Sequence, residues 1–96
     1  MNLIKSHLFI HGRVQGVFFR LFTVKHAKKL KLSGWVKNTN DGRVESIIIG
    51  PVKKMEKMLN WLKKGSPLSK VKKVEIISQE EVKKDEFDGQ FLTRHN

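Results

Sequence analysis

The hydrophobic pattern at the start of the chain predicts a β-strand followed by an α-helix. Over residues 3–10, Leu8 and Ile10 alternate with Phe9, so that apolar side chains alternate between the two faces of a strand. After a segment that contains two glycines, apolar residues recur at three-residue steps, which is typical of one face of a helix. These positions predict a helix over residues 21–31, with its core face formed by Val24, Ala27 and Leu30.

The next pattern predicts a β-hairpin. Trp35 and Val36 favour a strand, because aromatic and β-branched side chains pack well on a pleated surface. Residues 40–42, Asn-Asp-Gly, are a strong turn signal because these residue types tolerate positive φ. A second β pattern covers residues 44–49. Asn38 is therefore expected at the end of the first strand, just before the turn.

The remaining pattern adds a helix and further strands. Pro51 is a favoured first-turn residue, and apolar residues then follow at helical steps of three and four: Val52, Met55, Met58, Leu59 and Leu62. Residues 65–67, Gly-Ser-Pro, are expected to end this helix, and a strand is predicted by Val71, Val74, Ile76 and Ile77. Residues 80–86, of mixed charge, are expected to form a solvated loop before a short closing strand near Phe91.

The order of these elements predicts the fold class. The succession β-α-β-β-α-β with a short final strand is that of an α+β protein, the ferredoxin-like α/β sandwich. Its sheet is mainly antiparallel, and both helices cover one face of it. Because this fold supports many functions, the function has to be inferred from the candidate site and not from the fold.

Length and composition narrow the class of protein. A chain of 96 residues is expected to form one domain, over residues 1–96, with a single modest core. The absence of cysteine excludes disulfides and thiolate chemistry. No apolar run approaches the roughly 20 residues of a membrane span, and residues 1–10 lack the core of a signal peptide. We therefore predict a cytoplasmic protein with no membrane partner, and we expect a monomer.

The charge raises an alternative function. A net charge of +11 on so small a domain suits nucleic acid, and the ferredoxin-like topology is also that of RNA-binding domains whose central strands carry base-stacking aromatics. The strand over residues 44–49 carries no aromatic, and the lysines look scattered along helix exteriors. A basic RNA-binding module is therefore the alternative to an enzyme, and nucleic acid is the less favoured partner.

The loop between the first strand and helix is the strongest candidate for chemistry. Gly12 and Gly16 allow the backbone to curl so that successive N–H groups point inward, and the helix N-terminus adds a partial positive charge. Arg20 stands at that helix start, where a cation costs about 0.3–1 kcal/mol against the helix dipole. A bound phosphate would remove this conflict.

Two motifs together resemble the signatures of the acylphosphatase family. The first is G-x-V-Q-G-V-x-F-R at residues 12–20. The second is G-W-V-K-N at residues 34–38, followed by G-x-V at residues 42–44 and by Gly50. By itself, Asn38 would be interpreted as a turn residue that satisfies nearby backbone groups. The resemblance extends over nearly the whole chain.

The resemblance implies a hydrolase that splits the carboxyl–phosphate bond of small acyl phosphates into carboxylate and inorganic phosphate. Arg20 would bind the phosphoryl oxygens, and Asn38 would position the attacking water. Phosphate or sulfate would compete with the substrate, and neither a metal nor another cofactor is needed. The backbone N–H groups that would share the phosphate belong to Gln15, Gly16, Val17, Phe18 and Phe19.

The chain departs from the family pattern at two positions. The family usually has Gly where this chain has Lys31, just after the first helix, and a left-handed backbone there costs a residue with a side chain up to about 1 kcal/mol. Thr93 stands where an aliphatic residue is usual, and the polar residues 93–96 are expected to fray. Among the four histidines, which have no metal-ligand spacing, only His11 lies beside the loop, and we expect it simply to end the strand.

Overall fold

The computed structural model describes residues 2–95 and contains five strands and two helices. Met1 and Asn96, which the single-domain prediction includes, lie outside the described residues. In chain order the elements are β1 (Leu3–Arg13), α1 (Phe19–Lys29), β2 (Ser33–Asn38), β3 (Val44–Pro51), α2 (Val52–Lys64), β4 (Lys70–Val82) and β5 (Phe91–Thr93), with a 3₁₀ turn at Lys84–Glu86.

The strands form one sheet in the order β4-β1-β3-β2-β5. All neighbours are antiparallel except β5, which runs parallel to β2. The core lies between this sheet and the two helices, and includes Leu8 and Ile10 from β1 together with Met58 and Leu62 from α2. The predicted α+β, ferredoxin-like arrangement is confirmed, and so is the short closing strand.

The first helix begins and ends two residues earlier than predicted. Phe19, not Leu21, is the first core residue of α1: Phe19 is 1% exposed and Leu21 is 55% exposed. The helix ends early because Lys31 adopts the left-handed conformation, with φ of 58°. In this conformation the amide of Leu32 donates to the carbonyl of Ala27 at 2.9 Å, the bond of a Schellman motif.

The fourth strand, β4, is longer than predicted. Residues 80–82 are not loop, because they pair with residues 3–5 of β1, and the 3₁₀ turn follows them. Ile76 and Ile77 are about half exposed, since β4 is an edge strand and a register shift opposite His7 and Leu8 interrupts its alternation. Val52, one of the apolar residues that predicted the second helix, is 44% exposed and does not belong to the core.

The end of the chain is better ordered than expected up to Arg94. Thr93 is part of β5, and the amide of Arg94 donates to the carbonyl of Val36 at 2.8 Å. The guanidinium of Arg94 also lies over the ring of Trp35, 4.9 Å from its centroid. The expected fraying is therefore wrong for Thr93 and Arg94, which one backbone bond and one ring contact hold against β2.

Candidate functional site

The loop between β1 and α1 has the backbone shape that anion binding requires. Gly16 has φ of 73° and Phe18 has φ of 59°, so two left-handed residues alternate with others in the segment that enters the helix. Val14 and Val17 are buried at 1% and 5% exposure and fix the loop to the core. Successive N–H groups in such a curled segment form a concave site for an anion.

Arg20 lies in the first turn of α1, as predicted, and lines a pocket of about 360 Å³. Within the described chain no side chain caps the N-terminus of α1, and its first turn contains no acidic residue. The helix dipole and the guanidinium therefore add positive charge in the same place. The pocket is lined by Val14, Gly16, Phe18, Phe19, Arg20, Leu21, Asn38 and Thr93.

Asn38 enters the pocket from the other side. It is the last residue of β2 and pairs with Val44 of β3, so it stands immediately before the hairpin turn, as predicted. The turn is closed by a hydrogen bond of 2.9 Å from the amide of Thr39 to the carbonyl of Arg43. Asn38 is thus held by a regular strand at one side and a closed turn at the other.

The turn contains a charged clamp. The guanidinium of Arg43 binds the carboxylate of Asp41 through Nε at 2.9 Å and Nη2 at 2.8 Å, and the Thr39 hydroxyl donates to the same carboxylate. These hydrogen bonds hold the pKa of Asp41 well below its usual range. The carboxylate stays ionised at neutral pH, so the clamp maintains the shape of the turn beside Asn38.

The side chain of Gln15 joins the two halves of the site. Its amide nitrogen donates to the carbonyls of Thr39 and Arg43, both at 2.8 Å. The loop that carries the backbone N–H groups is thereby tied to the hairpin that carries Asn38. The sequence predicted only the backbone N–H of Gln15 as part of the site. A side-chain amide with two N–H donors to satisfy, next to the buried Val14, was the signal that could have indicated this role.

The structure brings together most of the predicted site residues. Arg20 and Asn38 line one pocket with Gly16, Phe18 and Phe19, whereas the side chains of Gln15 and Val17 point to the hairpin and the core. Three further lining residues were not predicted: Val14, Leu21 and Thr93. Val14 belongs to the first motif and Thr93 departs from the family pattern, and these were the sequence signals that could have indicated them.

His11 and Gly12 lie within β1, which continues to Arg13, so the expectations that His11 ends the strand and that Gly12 helps to curl the loop are wrong. Neither residue lines the pocket. The Nε2 of His11 is 2.8 Å from a carboxylate oxygen of Glu75 on the neighbouring strand, and this bond lowers the pKa of Glu75. Among residues 2–95 no three metal-ligating side chains gather as a metal site would require. In the same part of the chain no helix is long and apolar enough to cross a membrane.

The positive charge is concentrated on the helical side of the molecule. Residues 19–31 and 52–64 contain ten of the twenty Lys and Arg residues and a single acid, Glu56. On the strands two of the cations form ion pairs, Lys5 with Glu86 at 3.3 Å and Lys37 with Glu45 at 3.7 Å. The pocket therefore opens beside a strongly basic layer, which favours the approach of anions.

Comparisons with known proteins agree with the two sequence motifs. The model of the acylphosphatase family matches residues 6–89. An acylphosphatase of Syntrophobacter fumaroxidans is 41% identical over 92 residues, which cover 96% of this chain and 89% of the relative. Acylphosphatase-2 of Gallus gallus is 44% identical over 87 residues, which cover 90% of this chain and 84% of the relative. The crystal structure of acylphosphatase from Bacillus subtilis superposes with a TM-score of 0.86 at 36% identity, covering 96% of this chain and 99% of the other.

Proposed function

This chain belongs to the acylphosphatase family, and we propose that Arg20 and Asn38 are its catalytic residues in the hydrolysis of small acyl phosphates. Family membership supports the reaction class, the cleavage of the carboxyl–phosphate bond by an enzyme. The proposal for the residues is supported by one observation: a single pocket joins Arg20 and the curled loop to Asn38 at the hairpin.

Arg20 and the loop backbone would bind the phosphoryl group. A guanidinium presents a planar fork of N–H donors that makes two parallel, charge-assisted bonds to phosphoryl oxygens. The N–H groups of residues 15–19 would bind the remaining oxygens at the positive end of the α1 dipole. The same groups would bind free phosphate or sulfate, which are therefore expected to compete with the substrate.

Asn38 would hold the attacking water in line with the leaving carboxylate. Its amide can donate to a water and accept from it, which fixes the orientation of the lone pair that attacks phosphorus. As the water oxygen bonds to phosphorus, the bond from phosphorus to the acyl oxygen breaks and the carboxylate leaves with that electron pair. An amide is a poor base, so the water proton passes to a phosphoryl oxygen, and the products are carboxylate and inorganic phosphate.

Little else is required of the protein, because a carboxylate is already a good leaving group. Positioning and charge stabilisation are then the contributions that an active site has to make. The pocket supplies both through side chains and backbone of this chain alone, so the mechanism has no step that needs a metal or an organic cofactor. Cytoplasmic localisation and a monomeric state stay predictions.

The RNA-binding alternative finds little support on the sheet face opposite the helices. Trp35 and Phe9 are the aromatic side chains of β2 and β1, but cations already lie over their rings. Arg94 and Lys37 contact Trp35, and the guanidinium carbon of Arg43 is 4.1 Å from the centroid of Phe9. Stacking of bases on these rings would first have to displace the cations.

Turnover of benzoyl phosphate by the purified protein tests the proposal. Arg20→Lys keeps the charge but loses the bidentate geometry, so we expect it to lose most of the activity while the protein remains folded. Arg13→Lys, at an exposed arginine that does not line the pocket, is the matched control and should retain the wild-type rate. Near-wild-type turnover by Arg20→Lys would show that bidentate binding of the phosphoryl group is wrongly assigned to Arg20.

A further inference from the structure

Two large apolar side chains at the mouth of the pocket have no role in phosphate binding. Phe18 is 67% exposed and Leu21 is 55% exposed, and both line the pocket that contains Arg20 and Asn38. They stand three residues apart at the start of α1. Burial of apolar area is favourable, so an exposed pair at the edge of a polar site is a surface that a ligand can cover.

The backbone of Phe18 explains why its side chain faces solvent. A left-handed φ of 59° is costly for a bulky residue, by about 1–3 kcal/mol, and such strain concentrates at functional sites. The following residue, Phe19, points into the core at 1% exposure. The turn that curls the loop around the phosphate position thus places the ring of Phe18 at the rim of the pocket.

We propose that Phe18 and Leu21 form an acyl subsite that binds the apolar part of the substrate. The subsite rests on the proposed function, in which Arg20 and the loop hold the phosphoryl end. With that end fixed in the pocket, the acyl group of the bound substrate must extend outward past the rim of the pocket, where Phe18 and Leu21 lie. Contact with the two side chains then favours acyl phosphates that carry an aromatic or branched apolar group over acetyl phosphate.

The exposed position of the subsite sets the size of the effect. A ring that lies on a half-open surface loses part of its hydration, and each CH₂ equivalent buried contributes about fourfold to affinity. We therefore expect the specificity constant kcat/KM for benzoyl phosphate to exceed that for acetyl phosphate by roughly tenfold or more, since several such equivalents are covered. Selectivity of this size comes from contact and needs no closed cavity.

The test compares kcat/KM for benzoyl phosphate and for acetyl phosphate in four proteins. These are the wild type, Phe18→Asn, Leu21→Ser and Leu68→Ser. Asn tolerates the left-handed conformation, so Phe18→Asn removes the ring without adding backbone strain. Leu68 is also 67% exposed but does not line the pocket, which makes Leu68→Ser the matched control.

We expect the benzoyl-to-acetyl ratio to fall about five- to tenfold in Phe18→Asn and about threefold in Leu21→Ser, and to stay at the wild-type value in Leu68→Ser. Equal losses on both substrates, or an unchanged ratio in Phe18→Asn and Leu21→Ser, would overturn the subsite and leave the proposed function standing. A wild-type protein that hydrolyses neither compound would overturn the proposed function and the subsite with it.

Discussion

Gln15→Met should weaken both the stability and the catalysis of this protein, because it removes the link between the loop and the hairpin. Met resembles Gln in length and volume but has no N–H donor. The variant loses two hydrogen bonds, to the carbonyls of Thr39 and Arg43, each 2.8 Å long and partly buried.

The size of the loss in stability follows from the hydrogen bonds that the two carbonyls retain in the variant. The carbonyl of Arg43 still accepts from the amide of Thr39 at 2.9 Å, whereas that of Thr39 keeps only the amide of Gly42 at 3.4 Å. A hydrogen bond of this kind contributes about 1 kcal/mol net, so the free energy of unfolding should fall by about 2 kcal/mol. For a domain of this size that corresponds to a decrease in Tm of roughly 8–16 °C.

Catalysis should suffer as well. Asn38 directly precedes Thr39, and a displacement of about 1 Å at a reacting centre can cost about 10²-fold in rate. The free energy of unfolding is measured by guanidinium denaturation, and kcat is measured on benzoyl phosphate at a temperature where the variant is folded. Gln90→Met, at an exposed glutamine outside the pocket, is the control for the chemical change. A loss below about 0.5 kcal/mol with unchanged kcat would refute the proposed link.

Three further outcomes are expected. Asn38→Ala should lower kcat by about 10²–10³-fold and leave the inhibition constant of inorganic phosphate nearly unchanged, because Asn38 interacts with the attacking water in the transition state. Asn40→Ala is the control, and a destabilised Asn38→Ala protein with normal kcat would contradict the assignment. Lys31→Gly should raise the free energy of unfolding by up to about 1 kcal/mol, since Gly adopts the φ of 58° without strain, and an unchanged or lower Tm would count against this account. Burial and the charge of Lys29 lower the pKa of His26 from 6.5, so the folded state binds fewer protons than the unfolded state. The free energy of unfolding should therefore fall as pH drops below about 6.5. His26→Gln should lose this decrease when the free energy of unfolding is measured by urea denaturation across the same pH range.

The sequence predicted the order of the elements because each has a periodicity of its own, but it placed their ends less well. The start of α1 was misplaced because the choice between Phe19 and Leu21 as the first core residue depends on packing against the sheet. The length of β4 was underestimated because Glu80 and Glu81 are charged. An edge strand can carry such residues, since one of its faces and one of its edges meet water.

The residues of the candidate site were likewise predicted where they belong to motifs and missed where their role depends on the three-dimensional structure. The motifs predicted Arg20 and Asn38, and the structure places both in one pocket. The link made by Gln15 and the rim made by Phe18 and Leu21 could not be predicted, because they depend on how the loop turns in space. The left-handed backbone expected at Lys31 was confirmed, since helix termination is a local property that a family pattern records well.

The edge strand β4 has a consequence for self-association. An unpaired strand edge of thirteen residues that carries two half-exposed isoleucines is a template on which another chain can add. Here the register shifts opposite His7 and His11 interrupt the regular hydrogen-bonding pattern of that edge. The strand also begins with three cations, Lys70, Lys72 and Lys73, and ends with two carboxylates, Glu80 and Glu81. Copies that add in parallel and in register would place like charges side by side at both ends. The distribution of charge along β4 thus opposes the parallel, in-register stacking of a fibril, and high salt would weaken this protection.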